Sequence, residues 1–126
     1  MKIILLAAGF LACSPAFAAW AVYNHTSTTS DFLDDATLTK TGTTVKVWAM
    51  TNHESALTNL EGKELLSEKS LTTVDCATKK VGAEIVMTFA GKNTTGAMLG
   101  NMETPLRLTP IKPDTADEAL MKVVCR

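Results

Sequence analysis

The sequence predicts an α+β fold: a single antiparallel β-sheet of about six strands with an amphipathic C-terminal helix packed on it. Three observations predict it. Several segments alternate apolar and polar side chains with period two, as half-buried strands do. The turn signals between them leave connections too short for a parallel crossover, which favours antiparallel pairing. Only the C-terminal segment carries helical periodicity behind a capping signal.

The first strands are short: Trp20 to Asn24, Ser30 to Asp34 and Thr37 to Lys40, with turn signals at Asp34-Asp35 and Thr41-Gly42. In the next, Val45, Val47 and Ala49 point one way, and Lys46, Trp48 and Met50 the other. Residues Asn52 to Glu68 are polar, carry Gly62 and keep no clean period, so they read as a long loop with room for one short helix. Strands resume at Leu71 to Cys76 and Ala83 to Phe89, the latter with Ile85, Met87 and Phe89 on one face. Ala90-Gly91-Lys92-Asn93 reads as a turn, followed by strands at Gly96 to Met102 and Pro105 to Leu108. Pro110 and Pro113 end the strand region. Thr115 stands three residues before Glu118, the spacing of a capping box, and Asp117 and Glu118 suit the positive end of a helix dipole. Ala116, Ala119, Leu120, Val123 and Val124 then form one apolar stripe. Cys125 falls off its centre, so either the last turn unwinds there or the sheet wraps far enough to meet it.

Residues 1–18, MKIILLAAGFLACSPAFA, have a single Lys, an apolar run from Ile3 to Ala12 and a small-x-small ending. That is the layout of an export signal peptide, cleaved between Ala18 and Ala19. The run is too short to span a bilayer of about 30 Å. A minor alternative is a lipoprotein signal in which Cys13 is acylated, giving an outer-membrane lipoprotein; Phe10 and Pro15 fit that pattern poorly. The expected domain is therefore 19–126, one core in a periplasmic or secreted protein. Loss of Lys2 leaves 11 basic and 13 acidic residues, a net −2. That balance lacks the basic footprint of a nucleic-acid binder, and no further segment is long enough to cross a membrane.

Once Cys13 leaves with the leader or is lipidated, Cys76 and Cys125 remain as an even pair in an oxidising compartment. The reading is a structural disulfide. A reactive thiol would need a base to depress its pKa, and there is no Cys-x-x-Cys motif. No catalytic constellation is visible. His53-Glu54 begins like a zinc-protease motif, but Leu57 stands where the second His is required. With His25 as the other histidine, a closed zinc site lacks ligands, and no cofactor is implied. No Gly-x-Ser-x-Gly elbow occurs, and Gly91-Lys92 lacks the upstream glycine of a phosphate loop. Asn24-x-Thr26 and Asn93-x-Thr95 fit glycosylation sequons but read more simply as turns. Trp20, Tyr23 and Trp48 are core candidates. Trp48, opposite Val45 and Val47, is also the candidate surface aromatic, covering the second side of the sheet or a homodimer interface.

The order of these features resembles the surface-adhesin E-like family of small exported Gram-negative envelope proteins. The resemblance rests on Trp20, on Phe32-Leu33-Asp34-Asp35-Ala36-Thr37-Leu38, and on Lys40-x-Gly42 followed by Val45-Lys46-Val47-Trp48. It continues through Ser70 to Asp75-Cys76, Pro110-Ile111-Lys112-Pro113-Asp114-Thr115 and Val123-Val124-Cys125. Two places differ: Leu108 stands where members often carry an aromatic, and Lys79-Lys80-Val81-Gly82 where many carry Tyr and Arg. The resemblance implies an antiparallel sheet with a C-terminal helix tied on by a Cys76–Cys125 bond. It implies a non-enzymatic binding or structural role, with adhesion to host matrix proteins. The alternative is a periplasmic inhibitor or accessory protein that inserts the Asn52–Glu68 segment into another envelope protein.

Overall fold

The computed structural model describes residues 20–126. The expected cleavage site at Ala18 and Ala19, and Cys13, lie outside them. Eight strands precede one helix: β1 Trp20–His25, β2 Thr29–Asp34, β3 Thr39–Thr41, β4 Thr44–Thr58, β5 Glu64–Asp75, β6 Lys80–Phe89, β7 Met98–Glu103, β8 Thr109–Pro110 and α1 Ala116–Val124. All pair antiparallel in one sheet of order β1-β2-β4-β5-β6-β7. β3 pairs β4 at Val45, beyond the end of β2, and β8 pairs β6 at Lys80 and Val81, beyond the end of β7. The eight strands thus occupy six rows, as the sequence predicts.

The period-two pattern of β4 decides which face meets the helix. Val45 lies opposite Val74, and Val74 opposite Val81. These three, with Leu33 and Val47, form one buried cluster with Leu120 and Val124 of α1. The helix begins as its sequence requires, with the Thr115 side chain accepting from the Glu118 N–H. Cys125 is its C-cap: its N–H still bonds the Met121 carbonyl at 2.9 Å, but its own dihedrals leave the helix, and from there the off-stripe cysteine reaches Cys76. The two are disulfide-bonded with Cα atoms 5.6 Å apart.

Two expectations are corrected. Asn52 to Glu68 is not a loop: β4 continues to Thr58 and β5 begins at Glu64, forming a long hairpin. The β4–β5 register breaks between Asn52 and Leu57, and the extra residues on β4 erase the alternation that would have marked a strand. Pro105 to Leu108 is not a strand either. The backbone of Arg107 lies against Gly82, where any side chain would collide with its carbonyl, so this segment crosses over β6. Pairing resumes at Thr109, and Pro110 ends β8, a position that proline tolerates.

Candidate binding surface

The sheet has one covered and one largely open face. On the helix side, near the start of α1, a pocket of about 230 Å³ lies among Tyr23, Asp31, Thr51, Glu68, Ser70 and Asp117. Asp31 is buried, and its carboxylate accepts from Asn24 Nδ2 at 2.9 Å and Thr51 Oγ1 at 2.6 Å. Strand register explains the cluster: Asp31 pairs with Thr51, and Thr51 with Glu68. Burial, then the charge of Asp31, pushes the Asp117 carboxyl up. Burial and the same two carboxylates push the Tyr23 phenol up as well. The Ser70 and Thr72 hydroxyls are hydrogen-bonded to each other at 2.9 Å, not to a base. His53 is buried with no hydrogen-bond partner for Nε2, which sits 3.8 Å from Glu68 Oε1, too far for a hydrogen bond. Among the described residues, no group of three His, Cys, Asp or Glu side chains is placed to hold a metal ion. His25 is exposed, with Nδ1 2.7 Å from Ser30 Oγ.

Trp48 lies half-buried on the opposite face. Its backbone N–H donates to Thr37 Oγ1 at 3.0 Å, and Lys69 Nζ stands 5.2 Å from the ring centroid, a cation–π distance. Alternation and register place Phe32, Leu71 and Met87 on the same side. This face is closed only towards its ends. At one end the Arg107 segment crosses Gly82. At the other, the β6–β7 loop folds back over β4 and β5. Asn52 and Asn93 exchange two hydrogen bonds of 2.7 and 2.8 Å there. The fully buried Ser67 hydroxyl accepts from Thr94 N–H at 2.8 Å and donates to the Gly91 carbonyl. Asn93 and Thr94 both hold positive φ, uncommon for a β-branched Thr, so these contacts maintain a backbone that the local sequence disfavours.

Beyond that clamp the β4–β5 hairpin projects past its neighbours, because β2 pairs β4 only as far as His53 and β6 pairs β5 only as far as Ser67. Its tip is ordered by Asn59, whose Oδ1 accepts from the Glu61 and Lys63 N–H groups at 3.0 and 2.9 Å, and by Gly62 at φ +77°. Leu60, at that tip, is fully exposed.

Residues 20–126 match the family described as surface-adhesin protein E. The chain belongs to the surface-adhesin protein E family. The fold points the same way. A structure of Haemophilus influenzae protein E matches with a TM-score of 0.59 at 14% identity, covering 75% of this chain and 76% of that one. A second crystal form gives 0.62 at 13% identity, covering 75% and 79%. Protein E from a non-typeable strain gives 0.61 at 13%, covering 82% and 74%. At such identities the likeness is one of fold. No curated protein matches the chain in sequence. As a surface-adhesin protein E family member, the chain has the expected sheet, helix and Cys76–Cys125 bond. Among the described residues no helix is long and apolar enough to cross a membrane. The acidic pocket and the projecting hairpin were missed in the sequence, because both arise from strand register and neither leaves a local motif.

Proposed function

We propose that the protein is an exported, non-enzymatic envelope protein that holds a protein partner on its exposed surface, as an adhesin. The family match over the whole described chain carries this reading. The architecture supports it: a disulfide-tied scaffold holds Trp48 and Lys69 on a sheet face away from the helix. Preorganised aromatic and cationic groups of this kind suit protein recognition, since little conformational freedom is lost on binding. Residues 1–18 act in this proposal as the export leader, cleaved between Ala18 and Ala19; that the family match begins at residue 20 supports the boundary.

The test combines location with binding. Intact cells are treated with external protease, and purified protein is applied to immobilised basement-membrane matrix. Digestion of the protein together with saturable matrix binding is the expected result; protection inside intact cells overturns it. One observation favours a second reading. The projecting hairpin with exposed Leu60 is shaped to enter a cleft on another envelope protein. Protease protection together with capture of one periplasmic enzyme would select that accessory role.

A further inference from the structure

The cations of the described chain are unevenly distributed. Lys46, Lys63, Lys92 and Lys122 face carboxylates within 4 Å, and Lys69 rests on Trp48. The other six, Lys40, Lys79, Lys80, Arg107, Lys112 and Arg126, are all exposed and have no ion-pair partner among the described residues. The topology gathers these six at one end of the molecule. The disulfide fixes Arg126 beside the β5–β6 turn that carries Lys79 and Lys80. Lys40 Nζ donates to the Arg126 main-chain oxygen at 3.0 Å, which holds the two residues together. β8 brings the third group: Lys80 pairs with Pro110, and Ile111 N–H donates to the Lys79 carbonyl at 3.0 Å, which seats Lys112 next to the turn. Arg107 lies over Gly82 on the same strand. Two of the nearby carboxylates are engaged, while Asp114, two residues after Lys112, stays exposed. Asp75 accepts from the N–H groups of Ala77 and Thr78 and from Thr43 Oγ1, and Glu84 meets Lys46 at 2.7 Å. The opposite end carries Glu54, Glu61 and Glu64 on the hairpin, the first two paired with Lys92 and Lys63.

We propose that the disulfide end is a docking surface for a sulfated polysaccharide, a proposal that rests on the adhesin reading for its extracellular setting. Six exposed cations spread over several segments, of which only Lys40 and Arg126 share a shallow pocket of about 180 Å³, match a polymer whose negative charges are spaced along a chain. Binding would then be driven by counterion release and fall steeply with salt. An anionic membrane is the weaker match. Interfacial docking is anchored by exposed Trp and Tyr, and Trp20, Tyr23 and Trp48 are all partly buried.

Heparin is the probe, titrated calorimetrically into purified protein at about 0.15 M salt. The test variant K80Q/R107Q/K112Q removes three side chains that make no hydrogen bond within the protein; the control K63Q/K92Q removes two cations elsewhere, neither of them on the Trp48 face. At about fivefold per cation, the test variant loses on the order of 100-fold in affinity, while the control stays within about twofold. Equal losses in both variants, or no binding by the unaltered protein, overturn the assignment. So does binding to phosphatidylglycerol vesicles that heparin fails to displace. Matrix adhesion separates this proposal from the one beneath it. A test variant that still adheres fully sinks the polysaccharide site and leaves the adhesin reading standing. An unaltered protein that binds heparin but not matrix sinks the adhesin reading alone.

Discussion

The two faces of the sheet are built on different principles. The helix face is held by apolar contact and one covalent bond: Leu120 and Val124 press on Val45, Val47, Val74 and Val81, and Cys125 is fastened to Cys76. The opposite face is held at its ends by hydrogen bonds and backbone crossings, around Ser67 and Gly82. Its middle, around Trp48 and Lys69, is left half-open. Stability and recognition are thereby separated. The helix face can carry the fold while the other face presents groups to a partner.

Breaking the staple gives the largest expected effect. The bond closes a loop of 49 residues in sequence separation, for which the chain-entropy account gives about 4 kcal/mol. Domains of this size have only about 5–15 kcal/mol in total. Cys125→Ser is expected to lower the melting midpoint by on the order of 15 °C in non-reducing buffer. A melting curve that overlays the unaltered protein's would show that apolar packing alone holds α1, and the contrast between the faces would lose its covalent half.

A smaller, local effect is expected on the open face. Ser67→Ala leaves the Gly91 carbonyl and the Thr94 N–H without their partner in a buried place, at a cost of about 1–3 kcal/mol. Residues 91–95 are expected to lose protection from hydrogen exchange, while the amides of α1 keep theirs. Equal loss in both regions would mean that the two faces unfold as one unit, and that the clamp is not the separate device the geometry suggests.

Legibility in the sequence followed the same divide. The helix face was readable because its signals are local. Thr115 and Glu118 mark a start, the apolar stripe marks a face, and Val45, Val47 and Ala49 alternate without interruption. The opposite side of Trp48 followed from the same alternation. What escaped depends on register or on contacts between distant segments. The hairpin was hidden because the register break between Asn52 and Leu57 removes period two where the strand departs from its neighbours. Pro105 to Leu108 has strand-like residues, but Gly82, some twenty residues earlier, gives it a surface to cross. The pocket needs Asp31, Thr51 and Glu68 in three adjacent rows, and the basic end needs β8 to carry Lys112 to Lys79. No local pattern encodes either.

The smallest effect sharpens the comparison from the helix side, where the one polar region is the pocket beneath the start of α1. Burial and the neighbouring Asp31 charge raise the Asp117 carboxyl above its ordinary value. The native state therefore binds this proton more tightly than the unfolded chain does. Its contribution is most favourable below the unfolded value of about 4, and it is lost as pH rises from there through the folded value. At neutral pH the charged Asp117 is a net cost, even though the first turn of a helix favours negative charge. Asp117→Asn is thus expected to raise the denaturant midpoint slightly at pH 7 and to leave it unchanged near pH 3. Asp31→Asn is expected to shrink that gain, because it removes one of the two causes while leaving burial in place. A gain of equal size at both pH values would assign the effect to helix propensity or packing instead. The pocket would then be an inert gap under the helix, and the helix face would owe its stability to apolar contact and the disulfide alone.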